Sequence, residues 1–461
     1  MMRWDNCYSD RRTGRQSQSI SPRTEYQRDF DRLIFASAFR RLQNKTQVFP
    51  LPGSTFVHNR LTHSLEVASV GRSLGAIIGK HICSAKLDPR DDDSQQFYRH
   101  DLSSVIAAAC LAHDIGNPAF GHSGEKAISH YFLDRENQII NGTPLRQYFS
   151  KRQWSDLSNF EGNANAIRIL THSYRDKPES GMGLTYTTLA AILKYPCSSS
   201  MVNRKYKHRK KYGFLIPETA TVQSIASELH MNEEEPSGQC YARHPFVYLV
   251  EAADDICYRI IDLEDAHRLG IVSKERASKA LMNVLDDLQK FTDSYKKIKT
   301  TFEKINDDND SIAYLRAKTI SALTEAAAFA FIDHEEAILA GIWNNTLLDH
   351  VESNASGLKH IADLSMTEIY NHHSVIEIEI TGFHVMSHLL SLFVPAVLAK
   401  HPSGRDRMAL NLIPNQFREY EITDNPYVKV LSVVDFISGM TDAYATEFYR
   451  KTTGIDISKH V

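Results

Sequence analysis

A chain of 461 residues with 24% charged residues and a formal net charge of −3 is long enough to bury a large core. Near-balanced acids and bases argue against a nucleic-acid coat protein, whose affinity would rest on surplus lysine and arginine. Six scattered cysteines, at 7, 83, 110, 197, 240 and 257, include no C-x-x-C pair, so they suggest neither a disulfide framework nor a thiolate zinc site and fit a reducing cytoplasm.

The first segment, Met1 to Tyr26, is polar and rich in Arg and Ser, without the apolar core of a secretory signal. Turn chemistry clusters at 50–54, and a helix is predicted to follow. In His58-Asn59-Arg60-Leu61-Thr62-His63-Ser64-Leu65, the spacing puts Leu65, Ala68, Val70, Gly71 and Leu74 on one face. Arg60 stands one turn before His63 and so can aim at the same cavity.

A second apolar helix, Val105 to Cys110, runs into Leu111-Ala112-His113-Asp114-Ile115-Gly116. A His-Asp pair at a helix end sets an imidazole beside a carboxylate, and Gly116 with Pro118 turns the chain away so that both can face one cavity. Alone, such a pair is usually a buried polar contact or a helix-end cap. Next comes Phe120-Gly121-His122-Ser123-Gly124-Glu125, where the turn leaves His122 on a loop and Glu125 in the first turn of a helix, within reach of the imidazole.

Further turns are expected at 116–118, 177–181 and 233–238, and a basic run spans Arg204 to Lys211. Glu251-Ala252-Ala253-Asp254-Asp255-Ile256 then places carboxylates inside an apolar helical stretch, where acids need partners. Tyr258 and Asp262 follow Asp254 at i+4 and i+8, on the same helix face. Two imidazoles and two carboxylates suit a divalent ion such as Mg²⁺, Mn²⁺, Co²⁺ or Fe²⁺.

Beyond that point, 375–380 is the main stretch with period-two alternation. The most apolar run, Val385 to Ala399, carries His388 and falls short of the ~20 residues of a membrane span. The expectation is a mainly α protein with no membrane partner. It divides into an N-terminal arm with a first active-site helix (1–55), a metal-binding helical core (56–270) and a helical C-terminal region packed on that core (271–461).

His63, His113-Asp114 and Asp254 together resemble the H…HD…D signature of the HD-domain phosphohydrolases. Residues 38–50, 58–64, 113–118, Phe120-Gly121-His122 and 436–442 narrow the resemblance to the deoxyguanosine triphosphate triphosphohydrolase (dGTPase) family, over nearly the whole chain from about Thr24. The resemblance implies His63, His113, Asp114 and Asp254 as metal ligands, with Asp255 the competitor for the last place. It implies His122 and Glu125 as catalytic, with the direction of proton transfer open. It also implies hydrolysis of dGTP or another dNTP at the α-phosphorus, giving deoxynucleoside and triphosphate.

Arg60, Lys194 and Lys211 are similar to phosphate-contacting positions of the family, and Gln47 to its sugar-contacting glutamine. Tyr258 would pack the sugar and Asp262 would accept its 3′ hydroxyl. A homo-oligomer, plausibly a hexamer, is implied as well, with single-stranded DNA a candidate regulator. Two other readings stand beside this one: an HD phosphohydrolase acting on another nucleotide, and a nucleic-acid-binding or regulatory protein using the Arg204 to Lys211 run.

Overall fold

The computed structural model describes residues 2–14, 22–50, 57–176, 181–235, 237–292 and 294–455. The turns expected at 50–54, 177–181 and 233–238 fall partly outside these residues. The architecture is mainly α. Among the described residues, one hairpin of two-residue strands, Ile139–Ile140 and Thr143–Pro144, interrupts the helices. Asn141 and Gly142 turn it with positive φ, as a two-residue hairpin loop requires.

Two hydrophobic cores organise the helices. The first is built on Arg60–Ala85, Leu102–Ala112, Pro245–Arg268 and Asp308–Asp333. Arg60–Ala85 starts cleanly because Asn59 accepts from the Thr62 amide while Thr62 returns a bond to Asn59. Its glycines recur every fourth residue on one side. A Cβ on Gly71 would lie 2.5 Å from Cys110 Sγ, on Gly75 2.9 Å from Ser103 Cα, and on Gly79 2.1 Å from the Tyr98 carbonyl oxygen. This stripe lets the helix press directly against Leu102–Ala112, which brings His63 beside His113.

The buried face of that helix runs through His63, Ser64, Val67, Ala68, Val70, Gly71 and Leu74. Leu65 does not share it and is 42% exposed. Two residues past His63 the helix has rotated by about 200°, so Leu65 points outward and Val67 takes the inner place.

The second core joins Gly121–Asp134, His373–Leu398, Pro426–Ser438 and Asp442–Thr453. Residues 375–380, which alternate in period two, are helical. They open a 26-residue helix whose later turns are anchored on the core, and tertiary packing overrides a short local pattern. By length and apolar composition this helix could cross a membrane. Its inner face of Val385, Met386, Leu389, Leu390 and Phe393 is nevertheless buried in the second core, which accounts for the apolar character. Buried apolar residues between Val272 and Val375 pack into the first core.

Candidate active site

A cavity of about 590 Å³ opens where the two cores meet, lined by His113, Asp114, His122, Glu125, Lys194 and Asp254 among others. On its first wall, His63 Nε2 lies 3.2 Å from Asp254 Oδ1 and His113 Nε2 lies 3.4 Å from the same oxygen. One ligand atom from each of these three residues falls within 4.8 Å of the others, a donor set suited to a divalent ion. His113 Nδ1 donates to the Cys110 carbonyl at 2.6 Å, while Nε2 is buried without a hydrogen bond. That carbonyl holds Nδ1 as a donor and leaves Nε2 as the ring nitrogen facing the cluster, as metal-ligating imidazoles require.

The field around the cluster favours a cation. Burial opposes charge on His113, yet Asp114 and Asp254 raise its pKa to about 9. Burial likewise works against the Asp254 carboxylate, but His113 and His63 hold it well below the ordinary carboxylate range. Asp255, on the same helix, faces differently. Burial raises its carboxyl to about 7, with Glu251 and Asp254 adding to the rise and Lys194 opposing it.

Asp114 stands at the edge of the group, with Oδ1 3.6 Å from His113 Nε2. Its Oδ2 accepts from Arg60 Nη1 at 2.7 Å and its Oδ1 accepts from Asn117 Nδ2. Burial penalises this charge as well, but Arg60 and His113 keep the carboxyl below its usual value.

On the opposite wall His122 is not on a loop. Its helix begins one residue earlier, at Gly121, after Phe120 takes a left-handed conformation with φ 61°. That conformation is costly for a non-glycine residue. It is held by a bond from the Phe120 amide to Asp442 Oδ1 at 2.9 Å and by the seating of Phe120 on Gly382, where a Cβ would come within 2.5 Å of it. His122 Nδ1 meets Glu125 Oε2 at 2.7 Å. Glu125 Oε1 accepts from the Gly162 amide at 2.7 Å, so the buried carboxylate is fixed at both oxygens. Burial opposes its charge, and His122 and Lys211 outweigh that and lower its pKa. The exposed imidazole lines the cavity with Nδ1 held on that carboxylate, which leaves Nε2 as its other ring nitrogen.

The cations predicted at the site are present on its walls, each with an anchor. Lys194 Nζ is 3.5 Å from Glu251 and 3.9 Å from Asp254, while Lys211 Nζ is 2.9 Å from Glu161. Gln47 lines the cavity with its Oε1 buried and without a partner. Tyr258 also lines it, stacked on Tyr370 at 5.8 Å between ring centres. Asp262, expected at the site, does not line the cavity; it is buried and accepts from the Tyr370 hydroxyl at 2.8 Å.

The HD-domain family model matches residues 60–194, which take in His63, His113, Asp114, His122, Glu125 and Lys194 but not Asp254. A deoxyguanosinetriphosphate triphosphohydrolase-like protein of Synechocystis is 36% identical over 470 residues, covering 99% of this chain and 100% of the relative. One from Pseudomonas aeruginosa is 37% identical, with 98% and 99% covered. The chain belongs to the deoxyguanosinetriphosphate triphosphohydrolase-like family. A deoxyguanosinetriphosphate triphosphohydrolase of Serratia proteamaculans is similar too, at 33% identity over 93% of each chain. As an HD-domain member of this family, the protein is a phosphohydrolase.

Further residues join this candidate site. Lys210, Glu161, Asn163 and Tyr370 line the cavity, and only Lys210 had a visible signal, its place in the basic run. Asp442 supports both walls, accepting from the Thr46 amide at 2.8 Å as well as from Phe120. Buried Lys45 donates to the carbonyls of Asn117 and Ser438. Burial and the nearby Arg41 lower its pKa to about 7. Much of the Arg204 to Lys211 run is neutralised internally. Lys207 pairs with Asp349, His208 and Arg209 with Glu234, and Lys211 with Glu161.

Proposed function

We propose that the protein hydrolyses dGTP, and by extension other dNTPs, at the α-phosphorus, releasing the deoxynucleoside and inorganic triphosphate. The observation that carries this reading is the convergence of the His63–His113–Asp254 group, the His122–Glu125 pair and the lysines Lys194 and Lys211 on one cavity. His63, His113 and Asp254 would hold a divalent ion such as Mg²⁺ or Mn²⁺, with Asp114 as the fourth ligand. Bound there, such an ion supplies Lewis acidity toward a phosphate oxygen. Asp254 is preferred to Asp255 because its Oδ1 is the atom within reach of both imidazoles.

A triphosphate carries several negative charges, so its site needs cations held in place. Arg60, Lys194 and Lys211 meet that need, and their carboxylate partners set their positions before substrate arrives. Glu125 holds Nδ1 of His122, so Nε2 is the atom that exchanges a proton at the reacting centre. Gln47 and Tyr258 form the sugar wall; Asp262, expected to accept the 3′ hydroxyl, is buried outside the cavity lining and holds the Tyr370 hydroxyl instead. The names of the relatives support guanine as the preferred base.

The test is a panel of the four dNTPs with Mg²⁺ or Mn²⁺ and identification of the products. Deoxyguanosine and inorganic triphosphate in equal amounts are expected. Absence of triphosphate from every dNTP, or release of orthophosphate in its place, would overturn the proposal.

A further inference from the structure

Cys197 and Cys240 are 43 positions apart in sequence, yet they face each other across an antiparallel bridge. The Ser198 amide donates to the Gln239 carbonyl at 2.9 Å and the Tyr241 amide to the Pro196 carbonyl at 2.8 Å. The bonds therefore flank the two cysteines, which form a non-hydrogen-bonded pair. In that register opposed Cα atoms stand about 4.5 Å apart with their side chains close, inside the range of about 4.4–6.8 Å that a disulfide spans. Both thiols are free and buried, and they lie close enough to interact.

What each thiol does besides touching its neighbour gives the pair a consequence. Cys197 Sγ donates to the Lys211 carbonyl at 3.3 Å, and the Cys197 carbonyl accepts from the Gly213 amide at 3.0 Å. Cys240 Sγ donates to Glu234 at 3.5 Å, and Glu234 in turn holds His208 and Arg209. The two S–H groups thus tie both ends of the segment that carries Lys210 and Lys211 into the cavity wall.

We propose that Cys197 and Cys240 form a reversible disulfide, and that its formation loosens the lysine-bearing segment and weakens binding of the triphosphate. Joining the sulfurs removes both S–H donors at once, leaving the Lys211 carbonyl and Glu234 each short of one hydrogen bond. With a peroxide as oxidant, one thiolate attacks a peroxide oxygen and the O–O bond breaks, giving a sulfenic acid and hydroxide, which becomes water with the first thiol's proton. The second sulfur then displaces a second water. Overall, two thiols and one hydrogen peroxide become one disulfide and two waters. Contact with Cys240 and burial raise the pKa of the Cys197 thiol, so the reaction waits on opening of the strand pair.

The KM part of this inference rests on the triphosphate reading above, whereas the cross-link does not. The metal-loaded protein is incubated with hydrogen peroxide until Cys83, the partly exposed cysteine, is fully oxidised, and is then mapped by peptide mass spectrometry. A peptide joining Cys197 to Cys240, lighter by two hydrogens and reversed by dithiothreitol, is expected. With it, KM for dGTP should rise roughly three- to tenfold at unchanged kcat, the size of one or two lost hydrogen bonds. Cys197→Ser and Cys240→Ser should each keep their own KM under peroxide. No joined peptide would overturn the cross-link, and a joined peptide with unchanged KM would overturn its coupling to the lysine segment. A wild type inert toward all dNTPs would sink the substrate reading while the peptide map still decides the cross-link.

Discussion

The two cores serve the site in different ways. The first roots His63, His113 and Asp254 in three helices packed side by side, so the ligand geometry follows from helix–helix distance. The second holds the helix of His122 and Glu125 against the C-terminal helices, so the proton-transferring pair depends on chain that lies far away in sequence. Lys45 and Asp442 bind the two walls together. On the proposed function, metal affinity and proton transfer rest on separate supports, and substitutions should break one while sparing the other.

The largest effect should come from the first core. Asp254→Ala removes the carboxylate that both imidazoles face, and metal affinity should fall by more than the roughly 10–100-fold that loss of an outer partner costs. Asp255→Ala should bind metal nearly as the parent does. Isothermal titration with Mn²⁺ on both variants separates them, and the reverse order would reassign the ligand. Next in size is Gly75→Val, which thrusts a side chain into Ser103 across the helix stripe. It should cost about 1–3 kcal/mol or more in chemical denaturation, as overpacking does, and lower metal affinity by parting His63 from His113. Unchanged stability and affinity would show that the stripe does not set that distance.

Smaller, and on the other side of the comparison, is Asp442→Asn. An amide can still accept at one oxygen but not at two, so either Thr46 or Phe120 loses its partner, at a cost of about 1–3 kcal/mol for the unsatisfied group. The account expects kcat to fall roughly 10-fold or more with Mn²⁺ affinity intact. Equal loss of both would mean that Asp442 supports the whole fold and not the junction.

Much of the first wall was legible in the sequence, because its signals are local. A His-Asp pair at a helix end and acids inside an apolar helix are unusual combinations, and each asks for a buried partner. The choice between Asp254 and Asp255 was not local, since adjacent helical residues differ by about 100° in direction and only the packed helices show which one faces the histidines. Gly71, Gly75 and Gly79 carried their spacing openly, but their meaning needed the partner helix. The second wall was harder to read. Glu125 lies one turn from His122 and could be found, whereas Glu161, Tyr370 and Asp442 reach the site only through tertiary contacts. The alternation at 375–380 lies on a helix, because isoleucine and glutamate in turn on a half-exposed helix imitate the period of a strand.

The central claim, that a metal centre and a separate proton-transferring pair act on one triphosphate in this cavity, is tested most directly by His122→Ala. Mn²⁺ binding and inorganic triphosphate release from dGTP are measured on the same preparation. The account predicts parental metal affinity with kcat lowered by about 10²–10⁴-fold, the span of general acid–base catalysis. Parental kcat, or loss of metal together with activity, would contradict it.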